Sequence, residues 1–218
     1  MTSAPTLVLA SASPARLATL RSAGLAPYVL VSGVDETAAL RPYTELAPDE
    51  VALVLARAKA EAVAAVLDGD AAPADAPASP LVLGCDSVLE LDGEVHGKPV
   101  DGAEATARWR RMRGRSGVLH TGHWVVDLRD DGSSATLGAV ASTTVHFADV
   151  SDDEIAAYVA TGEPLTVAGA FTTDGLGGAF VRGIEGDHHT VVGVSLPLLR
   201  DLLGECGVPW HSLWAARA

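Results

Sequence analysis

A carboxylate stands in the middle of an apolar strand pattern. Residues 81–91 (LVLGCDSVLEL) are mostly apolar, with Asp86 at their centre and the two-residue hairpin signal Asp92-Gly93 directly after them. Past this turn, the segment 97–99 (GKP) brings the cation of Lys98 back toward the carboxylate. Because a charge inside an apolar strand is unfavourable unless it is paired or binds a metal, Asp86 is predicted to be either a structural ion-pair partner or a working group.

Lysine is rare in this chain and stands at two special positions. Of 15 basic residues only Lys59 and Lys98 are lysines, and the others are arginines. Lys59 falls on the apolar stripe of a helix predicted over 48–67, where apolar residues recur at steps of four. The preference for arginine elsewhere in the chain indicates that Lys59 and Lys98 stand at sites that need a compact point charge. The alternative for Lys59 is a side chain that reaches solvent from the edge of the stripe.

A strand-to-helix junction near the N-terminus has the residues of an anion site. Ser11, Ser13 and Arg16 surround Pro14, which favours the first position of a helix. Free N–H groups and the helix dipole attract anions at such a junction, and the two hydroxyls and the guanidinium add donors. The alternative is an ordinary N-cap with an arginine at the surface.

A second carboxylate, Glu36, ends the segment Val34-Asp35-Glu36 in a predicted loop. Together with Asp86 it could hold a divalent cation, Mg²⁺ or Mn²⁺, since Mg²⁺ is usually bound by a few carboxylates and substrate phosphates. The alternative is a solvated acidic loop. The histidine pairs His120/His123 and His188/His189 lack the spacing of known zinc motifs, so no zinc site is expected. Cys85 is expected to be a small buried residue rather than a reactive thiol.

Composition excludes several classes of protein. A formal net charge of −13 argues against a general nucleic-acid-binding surface. No apolar run is long enough to span a membrane, no signal peptide is expected, and two cysteines without a CxxC pair favour a reduced, cytoplasmic protein. The chain contains no Asn and no Gln. Ligand recognition must therefore use backbone groups, hydroxyls, carboxylates or arginine.

The element pattern predicts an α/β or α+β fold. We expect one domain over 1–218, with a flexible low-complexity loop at 68–80 (DGDAAPADAPASP). The Arg-rich run 108–115 is expected to lie mostly on a solvated helix face, and 162–186 is a Gly-rich stretch without predicted elements. Strands are predicted at 6–10, 28–31, 81–91, 118–128 and 136–147, and helices at 14–23, 48–67, 101–112, 151–160 and 196–203, with a turn at 130–132.

Taken in order, these segments resemble the Maf family of nucleoside triphosphate pyrophosphatases, also called septum formation inhibitors. The resemblance implies a two-lobed α/β fold like that of the inosine triphosphatases, with a mixed sheet, flanking helices and a central nucleotide cleft. It also implies a homodimer, divalent metal dependence and a cytoplasmic location. The matching segments are Leu9-Ala10-Ser11-Ala12-Ser13-Pro14 with Arg16, Val34-Asp35-Glu36, Lys59-Ala60, Gly84-Cys85-Asp86-Ser87-Val88, Gly97-Lys98-Pro99, Thr121-Gly122, Thr161-Gly162-Glu163-Pro164, Ala168-Gly169-Ala170 and Ile184-Glu185-Gly186-Asp187.

The resemblance also implies roles for individual residues. The catalytic carboxylate of the family matches Asp86, its phosphate-binding cations match Arg16, Lys59 and Lys98, and its acidic metal site includes Glu36. The residues themselves point to the same set. Ser11 and Ser13 complete the predicted substrate-binding residues at the N-terminal junction.

Positions tied to base preference depart from the family pattern. The branch that acts on dTTP and UTP typically has Arg, Thr and Gln where this chain has Ala15, Ser87 and Asp174. The branch that acts on 7-methyl-GTP has Trp, Gln and Glu there. Asp174 is nearer to that acidic residue, whereas Ala15 and Ser87 fit neither branch. Ser87 and Asp174 remain predicted substrate contacts, and the preferred base stays open.

The resemblance therefore predicts metal-dependent hydrolysis of a nucleoside triphosphate to the monophosphate and pyrophosphate, which would remove non-canonical or modified nucleotides. Two alternatives use the same residues. One is a nucleotide-binding regulator of cell division with little turnover, and the other is a metal phosphatase that releases orthophosphate. Asp86 would orient or deprotonate water, hold the metal, or both.

Overall fold

A single mixed sheet is built around one long central strand in the computed structural model, which describes residues 5–130, 132 and 134–215. The described strands are β1 (Leu7–Leu9), β2 (Tyr28–Val29), β3 (Leu81–Leu91), β4 (Glu94–His96), β5 (Ser116–Asp127), β6 (Thr136–Phe147) and β7 (Val181–Glu185). The described α-helices are α1 (Pro14–Ser22), α2 (Glu36–Leu40), α3 (Pro48–Leu67), α4 (Gly102–Met112), α5 (Asp152–Ala160), α6 (His188–Val192) and α7 (Leu196–Glu205). The strand order is β2-β1-β3-β5-β6-β7, and β4 also pairs with β3.

Strand β3 has one complete edge and one interrupted edge. It pairs with β5 along residues 81–90, in antiparallel register. On the other edge it pairs in parallel with β1 as far as Leu83 and forms the predicted hairpin with β4 from Leu89 onward. Among the described residues no strand covers 84–88 on this edge. The sheet therefore has a five-residue opening at Asp86.

Side chains alternate between the two faces of β3, and one face carries two separate apolar cores. On the face that bears Ser87, Leu83 and Cys85 pack in a core with α1 and α7, whereas Leu89 and Leu91 pack in a second core with α4 and α5. The polar residue Ser87 lies between the two cores. This arrangement matches the predicted two-lobed mixed sheet with flanking helices, with β3 as the strand common to both lobes.

The other face, which bears Asp86, is covered at one end by α3. Gly84 and Gly122 permit an unusually close approach, since a Cβ atom on Gly84 would lie 2.2 Å from the carbonyl oxygen of Ala56 and one on Gly122 would lie 2.3 Å from that of Ala52. The helix backbone thus rests directly on β3 and β5. This contact sets the height of α3, and with it the position of Lys59, above the sheet.

Most predicted elements are confirmed, with differences where local signals were weak. The strand predicted at 28–31 is only Tyr28–Val29, and the predicted loop at Glu36 begins the short helix α2 instead. The Gly-rich stretch contains β7 and 3₁₀ turns, and the loop 68–80 has no helix or strand. Of the turn predicted at 130–132, Asp131 lies outside the described residues. No described helix is long and apolar enough to cross a membrane.

One residue of the Arg-rich run departs from the expected solvated face. Arg110, Arg111 and Arg115 are exposed as predicted, but Arg108 is buried on α4. Its guanidinium donates to the carbonyl of Gly97 and to the carboxylate of Glu104, both at 2.5 Å. Arg108 therefore helps to position the backbone next to Lys98.

The contact between α3 and β3 generates the first prediction. Gly84→Ala is expected to lower the free energy of unfolding by about 1–3 kcal/mol or more, because the added Cβ collides with the helix backbone. Equilibrium urea denaturation measures this change. Gly204→Ala on α7 is the matched control, since no atom lies within 4 Å of its added Cβ. Equal stability of the two variants would contradict the proposed close contact.

Candidate active site

Two carboxylates converge on a single ammonium at the opening of β3. The Nζ atom of Lys59 donates to Glu36 Oε1 at 2.7 Å and directly contacts Asp86 Oδ1. The side chains of Lys59 and Asp86 are only 13% and 11% exposed, whereas that of Glu36 is 53% exposed. Lys59 therefore lies over the sheet, as its place on the apolar stripe of α3 predicts, and does not extend freely into solvent.

The surroundings of Asp86 act on its proton affinity in opposite directions. Burial raises the pKa of its carboxyl group above the ordinary value, and the positive charges of Lys59 and Arg16 oppose this rise. An exposed aspartate without these neighbours would be a weaker base. Asp86 thus combines the raised proton affinity of a buried acid with two cations that stabilise its charged form.

Arg16 is buried at the start of α1 and connects three parts of the fold. Its Nε donates to the carbonyl of Gly193 at 2.7 Å, Nη1 to Ser11 Oγ at 3.1 Å and Nη2 to Ser87 Oγ at 3.1 Å. The alternative of a surface arginine is therefore wrong. Since a guanidinium carries five N–H donors, two have no partner among the described residues.

The two serines of this junction have structural partners. Ser13 is the N-cap of α1 and accepts from the backbone N–H of Arg16 at 3.4 Å, as the sequence predicts. Ser11 Oγ accepts from the backbone N–H of Ser13 and from Arg16. These contacts fix the junction, and the hydroxyl hydrogen of Ser11 is still available as a donor.

A buried polar chain links Ser87 to the C-terminal part of the protein. Thr121 Oγ1 donates its hydrogen to the carbonyl of Thr190 at 2.8 Å. In the 2.9 Å contact between Ser87 and Thr121, the Ser87 hydroxyl is therefore the donor and Thr121 Oγ1 the acceptor. Next to it, His123 is bonded at 3.0 Å to the Thr121 carbonyl and accepts from the backbone N–H of Ser195 at 2.8 Å. Neither Thr121 nor His123 was predicted as a site residue, because their partners lie about 70 residues away in sequence.

Lys98 and Asp174 lie outside this cluster. Both side chains are exposed, and neither has a hydrogen bond or ion pair to another described residue. The backbone beside Lys98 is nevertheless fixed, because the carbonyl of Gly97 accepts from the N–H of Gly169 at 3.1 Å and from Arg108. The structure therefore fixes the backbone beside Lys98 but does not bring the Lys98 side chain into contact with Asp86.

Glu163 organises the loop that carries Asp174. Its carboxylate accepts from the side chain of Thr172 at 2.5 Å and from the backbone N–H groups of Leu176 at 2.9 Å and Gly177 at 3.0 Å. Burial acts to raise the pKa of Glu163, but these hydrogen bonds outweigh it and lower the pKa to about 2. In the sequence, Glu163 stands out only as part of a family motif, and no local signal indicates this role.

The donor set at Asp86 fits a divalent cation. Oxygen atoms of Glu36 and Asp86 both lie against one positive charge, which shows that the two carboxylates point to a common centre. Hard divalent cations prefer such carboxylate oxygens. Asp187, His188 and His189 also lie within 4.8 Å of one another, but Asp187 caps α6 and accepts from His189, so these contacts belong to the helix.

Thiol chemistry is not supported beside this cluster. Cys85 is completely buried on the Ser87 face, and burial raises the pKa of its thiol to about 12. A thiol with such a pKa remains protonated near neutrality and is a poor nucleophile. The expectation that Cys85 is a small buried core residue is therefore confirmed.

The chain is thus an α/β protein with a buried carboxylate between two cations at the interrupted edge of its mixed sheet. Comparison with known protein families identifies it further, since the family model described as "Maf-like protein" matches residues 6–206. The chain belongs to this family, as its sequence motifs predict.

Individual relatives cover nearly the whole chain. A nucleoside triphosphate pyrophosphatase of Salinispora tropica is 61% identical over 96% of this chain and 87% of its own length. The protein of the same name from Streptomyces coelicolor is 57% identical over 96% of this chain and 94% of its own. Among solved structures, a HAM1 protein from Coxiella burnetii is similar over 67% of this chain and 74% of its own, with a TM-score of 0.37 and 19% identity.

The burial of His123 generates a prediction of pH dependence. Burial lowers the pKa of its imidazole to about 4, below the ordinary value of 6.5. The contribution of His123 to the free energy of unfolding is therefore fully present above pH 6.5. It is lost as the pH falls toward 4, because the unfolded chain binds the proton more readily than the folded protein does. We expect a loss of about 3 kcal/mol from this group over that interval.

The His123→Gln variant isolates this effect from the other titrating groups. Glutamine retains a side-chain acceptor for the N–H of Ser195 but does not titrate. The free energy of unfolding of the variant should therefore fall less steeply than that of the wild type between pH 6.5 and 4, as measured by urea denaturation at each pH. The same slope in both proteins would contradict the assignment.

Proposed function

We propose that this protein hydrolyses a nucleoside triphosphate between its α- and β-phosphates, to the nucleoside monophosphate and pyrophosphate. The observation that carries the proposal is the convergence of Asp86, Lys59 and Glu36 at the opening of β3, next to the unused donors of Arg16. Membership in the Maf family and the names of relatives at 57–61% identity support the same reaction.

Each residue has a physical role in this reaction. The carboxylate of Asp86 accepts a proton from the attacking water, or orients that water, at the α-phosphorus. Lys59 and Arg16 stabilise the charge that develops on the phosphate oxygens. Exposed Lys98 binds the outer phosphates as a mobile point charge. Lys59 uses two of its three N–H donors on the carboxylates of Glu36 and Asp86, so the third remains for a phosphate oxygen.

The same proposal includes a divalent cation, Mg²⁺ or Mn²⁺, held by Glu36 and Asp86. When bound there, such an ion would supply Lewis-acid chemistry and neutralise negative charge on the phosphates. The chain needs this help because its formal net charge is −13 and its substrate is also anionic. Glu36 is the more exposed of the two carboxylates and therefore the easier one to release from Lys59.

We propose that the loop held by Glu163, which carries Asp174, recognises the base of the substrate. Its residue Asp174 is exposed, and an ionised carboxylate can only accept hydrogen bonds. It would favour a base edge with adjacent N–H donors, as in a guanine-type base, over the single N–H of thymine or uracil. The proposal has three further parts, which the family resemblance implies. They are the removal of non-canonical or modified nucleotides, a homodimeric state and a cytoplasmic location.

The bond that is cleaved is tested by the first products. Incubation with a panel of canonical and modified nucleoside triphosphates and Mg²⁺ or Mn²⁺ should yield monophosphate and pyrophosphate, and EDTA should abolish turnover. Chromatography of the nucleotides, with separate assays for pyrophosphate and orthophosphate, distinguishes the outcomes. Nucleoside diphosphate and orthophosphate as first products would overturn the proposal. Nucleotide binding without turnover would favour the alternative of a nucleotide-binding regulator of cell division.

The role of Asp86 is tested by Asp86→Asn, which keeps the shape of the side chain and removes its charge. The value of kcat should fall by on the order of 100-fold or more, as expected for the loss of a general base or a metal ligand. Asp201→Asn on α7 is the matched control, since Asp201 is exposed and its one ion-pair partner in the described part of the chain is Arg200. Near-normal kcat in Asp86→Asn would show that Asp86 has a structural role.

A further inference from the structure

A buried arginine lies beside the segment that carries Lys98, and the mechanism proposed above does not use it. The side chain of Arg108 on α4 is only 4% exposed, and burial lowers the pKa of its guanidinium below the ordinary value. Its Nε atom has no hydrogen-bond partner in the described part of the chain. A buried charge with an unpaired donor is unfavourable, and apolar residues of similar volume are often at least as stable in its place. Stability alone therefore does not account for Arg108.

Arg108 and Glu104 together hold the chain on both sides of Lys98. Before Lys98, the carbonyl of Gly97 accepts from Arg108 Nη1 at 2.5 Å. After Lys98, the backbone N–H of Val100 donates to Glu104 Oε2 at 2.8 Å. The two anchors are joined, because Arg108 Nη2 donates to Glu104 Oε1 at 2.5 Å and the two residues share one face of α4 at a spacing of four. We call this pair the Arg108–Glu104 bracket.

The backbone around Lys98 is fixed, whereas its side chain is not. The carbonyl of Gly97 also accepts from the backbone N–H of Gly169 at 3.1 Å, and Pro99 is buried. The side chain of Lys98 itself is exposed, and its ammonium has no hydrogen bond or ion pair to another described residue. The bracket therefore holds the main chain from which this ammonium extends, without using the ammonium as a partner.

The held segment begins at one end of the opening of β3. Strand β4 ends at His96, which pairs with Leu89, and Leu89 directly follows the uncovered stretch 84–88. Because Lys98 comes two residues after His96, its backbone lies within roughly 7 Å of that paired residue. The bracket thus fixes the place at which the chain leaves the sheet beside this opening.

We propose that Arg108 and Glu104 are positioning residues for Lys98, which allow this lysine to bind the outer phosphates of a nucleotide from a backbone that is already ordered. Neither residue of the bracket touches the substrate. A cation on a fixed backbone loses less conformational entropy on binding than one on a mobile loop. The inference rests on the proposed function only in taking Lys98 as a phosphate contact.

The test is a double-mutant cycle between Arg108→Met and Lys98→Ala, with the binding of methylenediphosphonate measured by calorimetry. This compound is a non-hydrolysable substitute for the two outer phosphates. Arg108→Met should weaken its binding about threefold to tenfold when Lys98 is present, because the segment must then be ordered on binding. In the Lys98→Ala protein the same change should alter the affinity by less than about twofold, since no cation remains to be positioned.

Two further variants separate positioning from a general loss of structure. Arg110→Met is the matched control on α4, since Arg110 is exposed and bonds to Asp152 instead, and it should change the affinity in neither background. Arg108→Lys retains the charge but not the fork that reaches Gly97 and Glu104 together, so it should give the same cycle even if Arg108→Met does not fold. Urea denaturation establishes that each variant is folded at the temperature of the binding experiment.

The possible outcomes distinguish this inference from the proposed function. An equal loss of affinity with and without Lys98, or no loss in either background, would overturn the inference. Unchanged binding in Lys98→Ala alone would also overturn it, whereas pyrophosphate release by the wild type would still support the proposed function. Conversely, a protein that shows the expected cycle yet releases no pyrophosphate would lose the proposed function and keep the bracket.

Discussion

The negative charge of Asp86, placed inside a central strand, is the constraint on which the site depends. A buried charge that loses its partner costs about 3–5 kcal/mol, so the fold must supply a cation at this point. Lys59 can do so because Gly84 and Gly122 allow α3 to rest on the sheet, which brings its ammonium down to the carboxylate. Packing and electrostatics are therefore coupled, and a larger residue at either glycine would disturb both.

The site is divided between the two faces of one strand. Asp86 and Lys59 lie on one face, whereas Arg16 and Ser87 lie on the other, between the two apolar cores. The two halves meet only at the interrupted edge of β3. A phosphate at this edge could therefore be contacted from both sides, and the polar chain through Thr121 joins the half with Ser87 to α6.

Elements with local signals were predictable from the sequence. Ser13, Asp101 and Ser151 cap α1, α4 and α5 as expected, because a cap and its helix are adjacent in the chain. Helix α2 was missed because five residues after Asp35 carry too little periodicity. Strand β7 was missed because its order comes from pairing with β6 and not from its own composition.

The same distinction applies to the site. Asp86 and Lys59 could be singled out because a charge in an apolar pattern is visible in the sequence, and the family motifs pointed to the same residues. The burial of Arg16 could not be predicted, since its Nε partner Gly193 lies 177 residues away. Nor does local sequence show that Glu163 would hold the loop of Asp174, or that Lys98 would lie apart from Asp86.

The interruption in the edge of β3 has a consequence for solubility. An exposed strand edge can add a strand from another molecule and so lead to aggregation. Here the uncovered residues 84–88 span only roughly 17 Å, and β1 and β4 close both ends. An incoming strand could form only a few ladder bonds before it met these neighbours. The fold thus limits self-association through this edge.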